Sequence, residues 1–209
     1  MRRDVAISRS RRVLILADHW SSTARCAHAL ARQTARTSAT FAEFETQFGS
    51  RVQGLAQSNA LLIEQDWKGV SLDKLIETQL APFVGIDTMR IEAVGPQVRL
   101  AAGAVQTLGL ALHELATNAS KYGALSAPGG RVVLSWSFDD ENGAPESFRM
   151  EWRETGGPPV KPSTRKGFGR FVTDQMVTRA LNATVETDLA SEGLRWRLQM
   201  PASEARAPA

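Results

Sequence analysis

Apolar and small residues return at every third or fourth position from Val13 to about Ile63, with no proline in the stretch. Val13, Leu16, Trp20, Ala24, Ala27 and Ala31 trace one helical seam, because side chains at those spacings share a face. The run breaks at Thr37-Ser38-Ala39-Thr40. Thr40 followed by Glu43 reads as a capping box, the hydroxyl accepting from the N–H three residues on and the carboxylate reaching back. A second seam follows through Phe41, Phe44, Phe48, Val52, Leu55, Asn59 and Leu62. Two such helices joined by a short turn form an antiparallel hairpin, which alone buries too little surface. The simplest further partner is the hairpin of a second copy, giving a homodimeric four-helix bundle.

The texture changes near residue 67. Asp66 to Val70 reads as a connector, and Ser71 as the cap of a helix over Leu72, Leu75, Ile76 and Leu80 that stops before Pro82. Arg90 to Val94 and Gln97 to Leu100 read as short strands around Gly95-Pro96. Residues 102–121 predict a long helix. Arg131 to Phe138 and Phe148 to Glu154 predict strands around a polar turn from Asp139 to Ser147. A helix over 170–181 and strands over Ala183 to Asp188 and Gly193 to Met200 complete the pattern, and the last residues read as a frayed tail. Helices and mainly antiparallel strands in this order predict an α+β chain: a hairpin over 13–66, a layered domain over 67–202, and tails at 1–12 and 203–209.

Composition narrows the function classes. A chain of 209 residues has room for one domain or two small ones. Its longest candidate apolar run, Val13 to Ala17, is five residues, far short of the ~18–20 a membrane helix needs and too short for a signal-peptide core. A cytoplasmic protein without membrane insertion is the expectation. The single Cys26 excludes an internal disulfide and a cysteine-built zinc site. The net charge of +3 is concentrated in residues 1–12, whose five Arg and one Asp leave the rest of the chain slightly acidic. A solvated basic tail, not a nucleic-acid surface, accounts for that distribution.

The candidate chemistry lies in three segments. In HELATNASKYGALS (113–126), Leu115 and Ala119 continue a buried stripe begun by Leu108 and Leu112, while Glu114, Asn118 and Lys121 stack on another face. A carboxylate, an amide and an ammonium in a row suit a metal–polyphosphate ligand, since Mg²⁺ takes one or two protein oxygens and fills its shell from water and phosphate. A solvated polar face accounts for the same pattern equally well. In WRETGGPPV (152–160) a strand ends in Glu154, an acceptor for an exocyclic amine, and runs into Gly156-Gly157, where backbone can approach a ligand. Gly167-Phe168-Gly169 precedes a helix and can form an anion-binding nest.

These three segments, in this order, resemble the catalytic domain of sensor histidine kinases of the HWE class, named for a His in the first box and a Trp-x-Glu in the second. Here those residues are His113, Trp152 and Glu154. The resemblance runs from about Val13 to Pro201 and includes ARQTARTS (31–38). It implies a Bergerat-type (GHKL) ATP-binding fold, a helical layer on a mixed sheet. It implies that Glu114 is catalytic, that Asn118 holds Mg²⁺, that Lys121 lies near the phosphates and that Tyr122 lines the nucleotide. Glu154 would read the adenine amino group with Gly156 and Gly157 behind it. Gly167 and Gly169 would flank the triphosphate, and Pro158 to Lys166 would form a lid. His113 has a structural reading, as a buried hydrogen-bonding residue, and a catalytic one.

The class also requires a phosphorylatable His on the first hairpin helix, in a box reading roughly His-Arg-Val-Lys-Asn. This chain reads Asp18-His19-Trp20-Ser21-Ser22. Counted back from ARQTART without a gap, the acceptor position falls on Asp18. Either a one-residue shift makes His19 the acceptor, about 100° from the centre of the seam, or the box has lost its acceptor. His28, near the seam, matches nothing in the box. The expected function is an ATP-dependent protein-histidine kinase that passes phosphate to a response-regulator receiver domain. The alternative is a degenerate, non-catalytic adaptor. With the chain spent on a hairpin and an ATP site, a chain this short, if complete, is expected to take its input from a partner such as a separate sensor protein, or to have none.

Overall fold

The computed structural model describes residues 23–84, 90–141, 144–159 and 170–207. His19 and the rest of the acceptor stretch, residues 160–166 of the expected lid, and Gly167 and Gly169 lie outside them. The chain divides into two compact units, Met1–Val52 and Gln53–Ala209.

In the first unit, α1 is helical over 23–37 and α2 spans Phe41–Glu64, crossing the boundary between the units. The capping box forms: the Glu43 N–H donates to Thr40 Oγ1 at 3.1 Å, and Glu43 Oε2 accepts from the Ala39 N–H at 2.8 Å. The buried seam of α1 is centred on Leu30 and Thr34, not on Ala24, Ala27 and Ala31, and His28 is exposed. The shift has a physical cause. Arg51 is buried and donates to Thr34 Oγ1 at 2.8 Å, while Thr34 donates to the Leu30 carbonyl at 2.6 Å. A buried guanidinium must be hydrogen-bonded, and this pair sets the inward face. The expected α2 seam is correspondingly turned outward at its start. Phe41 is 78% exposed and Val52 38% exposed. Phe41, Phe44 and Phe48 stack along the helix, with centroids 6.2 and 5.4 Å apart.

The second unit opens on the last turns of α2, where Leu55, Leu61 and Leu62 are buried. A turn with positive φ at Asp66 and Trp67 follows, and Trp67 packs against the core. Strand β1 (Val70–Ser71) leads into α3 (Leu72–Val84), capped by Ser71, whose Oγ accepts from the Lys74 N–H. Helix α3 continues through Pro82 instead of stopping before it. Strands β2 (Ile91–Val94) and β3 (Arg99–Leu100) follow but do not pair with each other: β3 pairs antiparallel with β1, and β2 pairs parallel with β4. Next come α4 (Ala102–Lys121), β4 (Arg131–Glu141), β5 (Ala144–Thr155), and α5, a π-helical turn Phe171–Met176 running into Val177–Ala180. The chain closes with β6 (Thr184–Ala190), β7 (Gly193–Pro201) and the short α6 (Ala202–Ala205).

The main sheet has the order β2-β4-β5-β7-β6 and is mixed, because only the β2–β4 pair is parallel. One face is apolar by alternation: Val132, Leu134 and Trp136 on β4, Phe148, Met150 and Trp152 on β5, Trp196, Leu198 and Met200 on β7. Leu134, Trp152 and Trp196 lie in register across the three strands. That face shares one core with Leu72, Leu75 and Ile76 of α3 and Leu108, Leu112 and Leu115 of α4. The predicted Asp139–Ser147 turn is shorter than expected, since Asp139 ties both strands through Ser147 at 3.1 Å and Arg149 at 2.7 Å. The last residues do not fray. Ala205 is fully buried, its carbonyl accepts from the Ala101 N–H at 2.9 Å, and the Ala207 N–H donates to the Arg99 carbonyl at 2.9 Å.

Candidate functional site

The polar row on α4 is graded rather than uniformly solvated. Glu114 is 4% exposed, Asn118 is half-buried and Lys121 is exposed. The expected exposed stripe therefore sinks into the protein at its N-terminal end. The reason is that α4 is covered on most sides, with thirteen of its twenty residues buried. Tyr122 follows at the helix end, 75% exposed. An amide, an ammonium and a phenol thus reach the surface together at one helix terminus. Among the described residues no three His, Cys, Asp or Glu side chains gather as a metal cage. The donor set that remains, one amide oxygen beside one ammonium, fits a Mg²⁺ that draws most of its shell from phosphate and water.

His113 belongs to the packing. It is 4% exposed, its ring meets Phe83 of α3 edge-on at 5.5 Å, and a Cβ added to Gly54 would fall 2.8 Å from its Cγ. Beside it, Gln79 donates to the Gly54 carbonyl at 2.9 Å and to Ser58 Oγ at 3.0 Å. Within this unit His113 helps seat the end of α2 against α3 and α4.

Glu154 is the second finding. The alternation of β5 places it on the core face after Phe148, Met150 and Trp152, and it is 4% exposed. Its Oε1 accepts from Trp152 Nε1 at 3.0 Å and its Oε2 from the Ala124 N–H at 2.8 Å. Burial pushes its carboxyl pKa up, and the Ala124 and Trp152 hydrogen bonds oppose the rise. The Ala124 bond fastens the end of α4 to β5, so the first and second boxes meet at this carboxylate.

The glycines after Glu154 serve that junction. Gly156 has φ +69° and lies against the Gly129 carbonyl, where a Cβ would come within 2.8 Å. A Cβ on Gly157 would lie 2.9 Å from Ala124 N. The close backbone approach read from the sequence is thus an approach to the loop after α4. Arg90 holds the same loop from its other side, donating to the carbonyls of Gly130 at 3.1 Å, Ala124 at 3.2 Å and Ala127 at 2.5 Å. Sequence reasoning missed Arg90, which has no motif signal. It also missed the burial of Glu154, which the period-two pattern of β5 could have shown.

A separate depression of about 500 Å³ lies on the outer sheet face, lined by residues including Ser135, Ser137 and Glu151. Two arginines there are already paired, Arg195 with Glu151 at 2.8 Å and Arg197 with Glu186 at 3.0 Å. It is a solvated charge lattice that shares no residue with the α4 terminus.

Comparison with known proteins identifies the family. The pattern described as HWE histidine kinase matches residues 23–97. A blue-light-activated histidine kinase of Brucella anthropi is 37% identical over 165 residues, covering 79% of this chain. The chain belongs to the HWE histidine kinases. Blue-light-activated histidine kinase 1 of Erythrobacter litoralis is 36% identical over 173 residues, 80% of this chain. This HWE kinase chain spans 33% of the Brucella relative's length and 46% of the Erythrobacter one's. Among solved structures, the Erythrobacter litoralis EL346 blue-light activated histidine kinase overlaps 76% of this HWE kinase and 55% of its own chain, at a TM-score of 0.51 and 13% identity, a likeness of fold. No helix among the described residues is long and apolar enough to cross a membrane.

Proposed function

We propose that this chain is the kinase core of a cytoplasmic two-component pathway, using Mg·ATP to phosphorylate a histidine of its own hairpin and then an aspartate of a response-regulator receiver domain. The observation that carries the reading is the junction at Glu154. The Ala124 N–H donates to its carboxylate and ties the segment after α4 to the second-box strand end, and Asn118, Lys121 and Tyr122 lie within six residues of that tie. Glu154 has lone pairs left over after its two donors, and these accept the adenine amino group. Asn118 supplies an oxygen to Mg²⁺, Lys121 neutralises phosphate charge, and Tyr122 covers the nucleotide. Glu114 stands one helical turn before Asn118 as the polar group of the reaction centre. Gly156 and Gly157 seat the loop beneath, and Gly167 and Gly169 flank the triphosphate. Bound Mg·ATP supplies the γ-phosphoryl group and the charge that neutralises it in transfer. His19 accepts that group on a ring nitrogen as the bond to the ADP oxygen breaks. The hairpin works as a homodimer.

The test has two parts. Mg·ATP at about a hundred times its dissociation constant should stabilise the chain by about 2.7 kcal/mol, and no thermal shift would refute nucleotide binding. Incubation with γ-labelled ATP should give acid-labile label that His19→Ala abolishes. A second reading is favoured by the acceptor box, where Ser21 and Ser22 replace the expected Lys and Asn and the ungapped position is Asp18. In it the chain binds ATP and docks a response regulator without phosphorylating itself. Thermal protection without any label identifies that case.

A further inference from the structure

An indole has one hydrogen-bond donor. Trp152 commits its own to Glu154, two residues along the same face of β5, at 3.0 Å. The other oxygen of that carboxylate takes the Ala124 N–H, from the end of α4, at 2.8 Å. The two donors arrive from different elements and hold different oxygens, so the plane of the carboxylate is fixed. Trp152 is fully buried, in register with Leu134 on β4 and Trp196 on β7, and cannot turn away.

Around the carboxylate stand Gly123 and Ala124 after α4, Val132 opposite on β4, and Gly193 opening β7, whose added Cβ would meet the Glu154 carbonyl. None of these four residues is titratable or charged. The causes of the raised carboxyl pKa are burial, opposed by the Ala124 N–H and the Trp152 indole, with no charged neighbour among them. Two neutral donors are what favour the ionised form.

We propose that Trp152 is the positioning residue for base selection: its indole N–H keeps Glu154 a fixed, acceptor-only carboxylate that takes an exocyclic amine and rejects a base bearing a carbonyl at that place. This rests on the nucleotide reading above. A protonated carboxyl presents an O–H donor, and a carbonyl-bearing base can accept from it. Removing the indole donor therefore relaxes selectivity as well as weakening adenine binding.

Trp152→Phe keeps an aromatic ring and deletes the donor. Binding of Mg·ADP and Mg·GDP to the full chain is measured by calorimetry from about pH 5 to 8, the range above the ordinary carboxyl value into which burial moves the group. The wild-type chain should prefer ADP, and its affinity should fall as pH drops and Glu154 protonates. Trp152→Phe should bind ADP about tenfold more weakly at neutral pH, leave GDP unchanged or tighter, and lose ADP at a higher pH than wild type. That direction follows because a lost donor lets the carboxyl rise further. Glu154→Gln cannot ionise there and should flatten the acid limb, which tests the proposal even if Trp152→Phe does not fold. Equal weakening of both nucleotides with an unmoved acid limb would reduce Trp152 to a packing residue and overturn the proposal, as would an acid limb that persists in Glu154→Gln. A wild-type chain that binds no ADP sinks the nucleotide reading itself, before any variant is compared.

Discussion

The two units bury very different things. In the second unit, tryptophans and aliphatic side chains from three strands interlock with those of α3 and α4, and Trp152, Trp196 and Phe148 are all buried to within 1%. In the hairpin unit, Leu30, Thr34 and Arg51 are the buried residues among those described, and a row of three phenylalanines runs along α2 with Phe41 exposed and Phe44 and Phe48 half-buried. A unit with a dense apolar core is stable on its own account. A unit that invests its interior in a polar clasp and displays aromatic rings has placed its hydrophobic surface where another molecule can cover it.

That contrast can be broken most forcefully in the second unit. Phe148→Ala should cost about 3–5 kcal/mol in chemical denaturation, because the ring is fully buried and packs edge-on to Phe138 at 5.2 Å. A loss below about 1 kcal/mol would mean the core is looser than its burial implies. Next comes the aromatic ladder. A Phe44→Asp, Phe48→Asp double variant should convert a dimer to a monomer in light scattering while the second unit keeps its melting temperature. A wild-type chain that is already monomeric at micromolar concentration would remove the dimer from the picture. Thr34→Val should cost about 1–3 kcal/mol of hairpin stability, since it takes an acceptor from the buried Arg51. Thr40→Ala should cost about 1 kcal/mol, read as lost helicity at the start of α2, because it deletes the 3.1 Å cap to the Glu43 N–H.

Much of this was legible in the sequence. Residues 102–121 are the helix the periodicity predicts, and the capping box at Thr40 is where its spacing puts it. Local patterns fix such features, because their partners lie within a turn of chain. The seam of α1 was misread because small alanines carry little directional information and a buried arginine runs against the usual rule for charge. The pairing of β2 with β4 was not read from the sequence, because Ile91 meets Val132 across a long stretch of intervening chain. On the site, the residues at the end of α4 are brought to the second-box strand, but by a buried carboxylate and not by open glycine turns. Arg90 was invisible, since three bonds to backbone carbonyls leave no imprint on the sequence of the loop they hold.

The fold-back of the last residues has a consequence for how such a unit can be used. Strand β3 is flanked on one side by β1 and on the other by the bridge from Leu100 to Arg206, and an added Cβ on Gly69 would fall 2.8 Å from that of Ala207. The start of the layered part of the second unit, at Gly69, and its last described residues are therefore side by side. A module with adjoining ends can be strung between other domains, or circularly permuted through a short linker, without stretching its own backbone. Its portability is built into one short edge strand.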